Sequence, residues 1–400
     1  MTQHQKLDLL MINMSAFSDW QSGIVNRNYF IYQYLRQRPW VDNVIAADFF
    51  PVKLKPAIGY YPQNLLLGLK NKNIIFGDLT SVCYQHSDKT YVYSSIDGVW
   101  SKKIIVAEIK KIIDKLGLKN DLLVWSYNPM FTEFIDELNF KMFIFDSVDN
   151  WLEHSAYLKL ISRQKLKNNY KKIADRADLI FTVSRELIDF YQSLKRKSNI
   201  FWIPNGVDFD YYNDEKNLRQ KTELDNEQRK IIGYLGTIQD RVNIDLIKYI
   251  AEKNSDMLVA LCGPVWKSVR REIHLKLKPL PNVKLFGRIP YQSAPAYINR
   301  FSVGIIPHRL DKFIASTNPM KLYDYLALGK PVVSTAGAGV DVFKDIIHIA
   351  KSPAEFNKLI QKSFHDDPNL AKKRITAARE NDWQSRIDMM EKIIFNDYQS

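Results

Sequence analysis

Short apolar runs alternate with amphipathic stretches from one end of the chain to the other. That alternation predicts a parallel α/β protein rather than an all-α or all-β one. In the first half, strands are predicted at Leu7–Asn13, Asn43–Phe49, Thr90–Ser95, Leu122–Ser126, Met142–Asp146, Leu179–Val183 and Ile200–Ile203. Helical periodicity falls at Val25–Arg36, Lys102–Leu116 and Ala156–Ala174. The second half repeats the pattern, with strands at Ile231–Leu235, Leu258–Cys262, Val283–Phe286, Val303–Ile306 and Val332–Thr335. Its helices are predicted at Ile244–Glu252, Trp266–Leu277, Ala294–Asn299, Pro319–Leu328 and Ala354–Ser363. Between the halves, Asp208–Lys230 is polar, charged and without strand signal, and reads as a connector. A chain of 400 residues suits two domains of about 200 each. The tail Trp383–Phe395, with Ile387, Met390 and Ile394 at helical spacing, predicts an amphipathic helix.

The most informative stretch is Ser316–Thr335. A polar turn ends in Asn318-Pro319, and Pro319 suits the first position of a helix. Met320–Leu328 is a short helix that Gly329 stops, and Pro331–Thr335 is a buried strand. Lys321 and Asp324 are three apart and share a helix face. A helix N-terminus beside a Lys is a seat for a diphosphate, and a carboxylate one turn on can take two ribose hydroxyls. A surface ion pair on a capped helix is the plainer reading of the same residues.

Asn-Pro-x-Lys, an acid three residues later, then Tyr-x-Ala-x-Gly-Lys-Pro-Val-Val resembles the nucleotide-binding segment of two-domain GT-B glycosyltransferases. These are the group 1, family 4-like enzymes. The match is dense over Ser316–Thr335 and is similar to bacterial exopolysaccharide and teichuronic acid glycosyltransferases of the xanthan glucuronosyltransferase type. The resemblance implies that Thr317, Asn318, Pro319, Met320, Lys321 and Asp324 contact the donor. It also implies two Rossmann-like domains facing across a cleft: an acceptor domain at 1–208, a linker at 209–230 and a nucleotide-sugar domain at 231–380. A last helix within 381–400 would then pack back on the first domain.

Two further runs carry the same resemblance. Ile203-Pro204-Asn205-Gly206-Val207-Asp208 follows a strand, with Gly206 available for a positive φ in a tight turn. Gly233-Tyr234-Leu235-Gly236-Thr237-Ile238 opens the second domain, where Gly236 lets backbone approach a phosphate, Thr237 offers a hydroxyl and Arg241 a charge. Gly263 and the Gly287-Arg288-Ile289 turn follow neighbouring strands, whose carboxyl ends are where open α/β sheets bind ligands. In the family the second of these loops meets the base through backbone, which favours Ile289 over the Arg288 charge. His308 faces the sugar or is a satisfied structural His. In the first domain Phe145–Trp151 ends a strand, and the resemblance implies an acidic base there. Asp149 is the first candidate and Asp146 the second, with helix capping as the alternative for Asp149. Many retaining members have two Glu eight apart. Ser316 and Asp324 stand there in this chain, which leaves retaining versus inverting chemistry open.

Other chemistries lack their motifs. No GxxxxGK[ST], GxSxG or HExxH occurs, and Gly337-Ala338-Gly339 has Val342 where a third Gly of a dinucleotide loop would fall. Asp208-Phe209-Asp210 spells a DxD but reads as linker, so no metal ligand and no cofactor are expected. Cys83 and Cys262 are too few for a disulfide framework or zinc cluster. No apolar run approaches the roughly 20 residues of a membrane span, and the start lacks an apolar signal core. A cytoplasmic protein is therefore expected. Its net charge of +13 is spread over both halves, densest at Lys159–Lys172. That surface suits phosphate-bearing ligands or peripheral attachment to an anionic membrane at the inner face of the cell membrane. The expected partners are a nucleoside diphosphate sugar, UDP-linked first, and a glycan or lipid-linked acceptor, with no nucleic acid. A sugar-nucleotide epimerase of the same fold and a non-catalytic basic binding module are the competing readings.

Overall fold

The computed structural model describes residues 6–396 except 52–65, 67, 69, 71–72 and 338. The first residues of the chain, its last four and Ala338 of the Gly337–Gly339 run lie outside the described residues. The chain divides into two units, Met1–Ile203 with Ile387–Ser400, and Pro204–Arg386. Among the described residues no helix is long and apolar enough to cross a membrane.

Unit 1 holds a nine-stranded sheet in the order β3-β4-β5-β2-β1-β6-β7-β8-β9. The strands are β1 Leu7–Ile12, β2 Val41–Ala47, β3 Ile74–Gly77, β4 Ser81–Ser87, β5 Thr90–Ser95, β6 Asp121–Ser126, β7 Met142–Ser147, β8 Leu179–Thr182 and β9 Ile200–Trp202. Central β1 is buried at every position and pairs in parallel with both β2 and β6. A strand covered on both faces reads as a continuous apolar run, which is why its sequence shows it so plainly. Only β4 runs against the others, pairing antiparallel with β3 and β5. The β3–β4 hairpin carries no clear apolar run. It is held by pairing to β5 and by the helix Lys102–Leu116, whose Lys115 lies over Phe76. The helix predicted over Ala156–Ala174 is two helices, Ser155–Leu158 and Arg163–Arg176. Ser162 causes the break, because its hydroxyl caps the second helix by accepting from the Lys165 N–H at 3.3 Å.

The last helix, Trp383–Asn396, begins in unit 2 and from Ile387 onward belongs to unit 1. There Ile387, Met390 and Ile394 are buried. Arg38 pairs with Asp388 at 2.6 Å and Glu391 at 3.0 Å, and the Trp40 indole N–H donates to Glu391 at 2.6 Å.

Unit 2 is an all-parallel six-stranded sheet ordered β12-β11-β10-β13-β14-β15. Its strands are β10 Ile231–Leu235, β11 Leu258–Cys262, β12 Val283–Gly287, β13 Val303–Ile306, β14 Val332–Thr335 and β15 His348–Ala350. Counted from β10, this is the 3-2-1-4-5-6 order of a dinucleotide-binding sheet, whose direction of winding reverses between β10 and β13. The segment read as a connector is instead built into this unit. Helices Phe209–Asn213 and Glu215–Leu218 form in it, and Phe209, Tyr212 and Leu224 enter the core. Asp208 is the N-cap of the first helix, accepting from the Tyr211 N–H at 3.3 Å, which gives the DxD spelling a structural use. Gly206 does not take a positive φ. Glycine is required there by close approach, since a Cβ would stand 2.7 Å from the Asn381 carbonyl oxygen.

Candidate functional site

At the reversal point the carboxyl ends of β10 and β13 open, and the loops that follow them are knitted together. Asn243 N–H donates to the Pro307 carbonyl, and Arg309 N–H to that of Arg241, both at 2.8 Å. Gly236 follows β10 with φ +131°, and Gly263 follows β11 with φ +158°. A Cβ on Gly263 would lie 2.0 Å from the Gly236 carbonyl oxygen, so these two loops touch backbone to backbone. Gly263→Ala is therefore expected to cost about 3 kcal/mol or more, through strain and displaced backbone. Thermal unfolding measures it, and a melting temperature equal to wild type would refute the tight packing.

Three basic side chains converge on this opening. The Lys321 ammonium lies 4.9 Å from the centre of the Tyr234 ring, and its Cε would be 3.0 Å from a Cβ on Gly236. The Arg241 guanidinium sits 5.3 Å from the centre of the Phe313 ring. With the Gln239 amide turned to suit its neighbours, that side-chain oxygen accepts from Arg241 Nε and Nη2 at 2.7 and 2.9 Å. His308 is buried, and its Nε2 has no hydrogen-bond partner among the described residues. It adjoins a small cavity shared with Pro319, Thr335 and Gly337. Neither Lys321 nor Arg241 forms an ion pair among the described residues. Burial, with Arg241 nearby, pushes Lys321 down to about 7. Burial, then Lys321 and Arg241, hold His308 well below the usual imidazole range. Basic side chains gathered with Asp324 as the acid that acts on Lys321, and with Lys321 and His308 pressed toward neutrality, form a site that a bound anion would relieve.

Lys321 is held there by the helix Met320–Ala327. Pro319 is its N-cap rather than its first residue, with ψ 112°, and supplies no capping side chain. The first-turn N–H groups thus lack a side-chain acceptor, and Met320 beside them is partly exposed. One turn on, Asp324 is raised to about 7 by burial, opposed by a hydrogen bond from Tyr212 and by Lys321. Tyr212 packs edge-on to Tyr291 at 5.9 Å, and Tyr211 stacks on Tyr291 at 5.1 Å, which joins Asp324 to the turn after β12. In that turn Ile289 packs against the core while Arg288 is exposed.

The structure thus gathers Gly236, Gly263, Arg241, His308, Lys321 and Asp324, with Thr237 partly exposed on the same loop as Gly236. Thr317 and Asn318 are turned elsewhere. The Thr317 hydroxyl donates to the Ile314 carbonyl at 2.9 Å. Asn318 Oδ1 accepts from the Asn205 N–H at 2.7 Å, while its backbone carbonyl accepts from Asn205 Nδ2 at 2.6 Å. Asn318 thus braces the Pro204-Asn205-Gly206 turn, while its Nδ2 has no hydrogen-bond partner among the described residues. Asp146, the second candidate base, is held by a partner. It is fully buried, and both its oxygens accept from Arg27 Nε, at 2.9 and 3.0 Å. Asp149 is partly exposed at the carboxyl end of β7. It is not the cap of the following turn, because Asn150 is, accepting from the Leu152 N–H at 3.1 Å. Sequence reasoning missed Tyr212, Tyr234 and Gln239, whose roles depend on contacts that no local spacing announces.

Known proteins resemble this chain in sequence and in fold. Residues 214–381 match the family described as Glycosyl transferases group 1. Over 220 residues the chain is 26% identical to the "Putative teichuronic acid biosynthesis glycosyltransferase TuaH" of Bacillus subtilis (strain 168). That match spans 53% of this chain and 55% of the relative, about half the length of each. Among solved structures, Anabaena Alr3699/HepE in complex with UDP and glucose superposes with a TM-score of 0.67 at 13% identity, over 98% of this chain and 99% of that one. The sucrose-phosphate synthase of Thermosynechococcus elongatus gives 0.71, also at 13% identity, over 98% and 100%. The fold is therefore that of GT-B glycosyltransferases, and residues 214–381 of unit 2 are similar to group 1 glycosyl transferases.

Proposed function

We propose that the protein transfers a sugar from a nucleoside diphosphate donor, UDP-linked, to a glycan or lipid-linked acceptor in cell-surface polysaccharide biosynthesis. The observation that carries this reading is the convergence of Arg241, His308 and Lys321 at the reversal point of the unit 2 sheet, with Asp324 one helical turn away. A diphosphate would meet Lys321, Arg241 and the start of the helix Met320–Ala327, and the Asp324 carboxylate would take ribose hydroxyls. As the glycosidic bond to the sugar breaks, the same cations stabilise the charge growing on the leaving diphosphate. Asp149 would accept the proton of the attacking acceptor hydroxyl. The relative TuaH is named for teichuronic acid biosynthesis, and HepE was solved with UDP and glucose. The first supports a surface glycan as product and the second a UDP-sugar as donor.

Calorimetric titration with UDP, GDP and TDP tests the donor assignment, with UDP expected to bind at least about tenfold more tightly than the others. No binding by any of the three would overturn it. Conversion of a UDP-sugar incubated alone into its epimer, followed by NMR, would favour the epimerase reading.

A further inference from the structure

A cleft of 440 Å³ opens in unit 1 at the amino end of its sheet. The strands β1, β6 and β7 run parallel and all start there, so the cleft lies at the end opposite Asp149. Its volume falls within the roughly 300–1,000 Å³ of small-molecule sites. One wall is made where the helix Lys102–Leu116 stops. Gly117 takes φ +61°, and the Leu118 N–H turns back to donate to the Ile113 carbonyl at 3.3 Å. The side chains of Ile113 and Leu118 both line the cleft. Phe140, just before β7, adds an aromatic ring, half-buried and packed edge-on to Phe143 at 6.2 Å.

The charges on the cleft are already matched. Lys141 pairs with Asp121 at 2.5 Å. Asp8 is buried, and it accepts from Asn43 Nδ2 at 2.8 Å and from the Asn120 N–H at 3.2 Å. Among the described residues neither acid belongs to a metal-ligating group. A metal ion would therefore find no set of ligands, and an anion no cation without an acid beside it. Two amides remain. Asn120 gives its Nδ2 to Asp8 and Asp42 at 3.3 and 3.2 Å, and its side-chain oxygen accepts from none of the described residues. Asn139 is exposed, and its side chain bonds to none of them. An apolar wall with one aromatic ring, beside amides that both donate and accept, suits a ligand with apolar ring faces and a hydroxylated edge. That is the chemistry of a neutral sugar.

We propose that this cleft binds a neutral sugar unit of a glycan, away from the site of transfer. The six residues of β7 span about 20 Å between the cleft and the end that carries Asp149. Only an acceptor of several sugar units can reach both, so the cleft retains a growing chain between transfers. That consequence rests on the glycosyltransferase reading, whereas sugar binding does not.

Saturation-transfer NMR titrations of the full chain with cellobiose, maltose and chitobiose test the cleft. At least one disaccharide is expected to bind with a Kd of about 1–10 mM, with UDP present or absent. Phe140→Leu keeps an apolar side chain against Phe143 but removes the ring face. Asn139→Ala removes an exposed amide that the fold does not use. Each should weaken the binding about fivefold or more, with melting temperature and UDP affinity near wild type. In transfer assays both variants should raise KM for a long acceptor and leave kcat, and KM for a short one, unchanged. No binding by any disaccharide overturns the proposal, and so does binding that both variants retain in full or that inorganic phosphate displaces. A long-acceptor KM that neither variant changes overturns the retention of the chain. UDP titration reports on the donor site alone, so a protein that binds sugar in the cleft but no UDP upholds the cleft and overturns the glycosyltransferase reading.

Discussion

Lys321→Ala is expected to weaken UDP binding about 100-fold while leaving the weaker binding of uridine nearly unchanged. The ammonium is held against the Gly236 backbone and over the Tyr234 ring and forms no ion pair among the described residues, so a diphosphate would be its closest counter-ion. Hydrogen bonds to charged groups contribute about 1.5–3 kcal/mol, and truncation also leaves the bound phosphate unpaired. In the free protein burial sets Lys321 at about 7, so near pH 8 much of it is neutral. A bound dianion raises that value, and binding must then take up a proton. Affinity is full below about pH 7 and falls as pH rises toward the bound-state value. Calorimetry in two buffers of different ionisation heat reads the proton uptake directly. Unchanged UDP affinity in Lys321→Ala would sink the assignment.

The same burial makes Lys321→Met an expected stabiliser, by about 1–2 kcal/mol near neutral pH, because an apolar chain replaces a desolvated charge. The advantage is greatest below about pH 7, where the folded protein holds the charge, and shrinks toward pH 10 as the unfolded chain also loses its proton.

Asp149→Asn is expected to lower sugar transfer by about 10²–10⁴, with UDP affinity and melting temperature near wild type. Asparagine keeps the size of the side chain but is a poor proton acceptor. The capping of the following turn belongs to Asn150, so Asp149 is not needed for it. The residues assigned to the diphosphate all lie in unit 2, which is why donor binding should stand. Asp146→Asn is the contrast. It would break the Arg27 pair and leave a guanidinium buried, a change of about 3–5 kcal/mol that should appear as a lowered melting temperature. Near-normal transfer by Asp149→Asn would remove it as the base.

Much of unit 2 could be read from the chain before any coordinates. Ile231–Leu235 and Leu258–Cys262 are apolar throughout because both faces of the sheet are covered, so the strand and its limits coincide with the run itself. Lys321 and Asp324 fall on one helix face by their spacing, and the glycines of the strand ends are recognisable as places of close approach. The β3–β4 hairpin escaped notice because edge strands need no continuous apolar run, and β15 because three residues carry too little pattern. The helix Pro368–Glu380 escaped for another reason. Its Arg374 is buried, which a local reading assigns to solvent, and it is held by Asp366 and the Ile346 carbonyl.

The roles of individual polar side chains followed the same division. Asp146 and Asp149 are equivalent in sequence, each an acid at a strand end, and only Arg27, 119 residues earlier, makes one of them structural. Asn318 is fixed by Asn205, 113 residues earlier, and Asp324 owes its setting to Tyr212, in a segment that reads as a linker. Periodicity along the chain determined which positions are covered and which are wet, because burial on a helix or strand repeats locally. Which buried charge meets which partner was decided only by the order of strands in the two sheets, since that order brings together residues that share no local pattern.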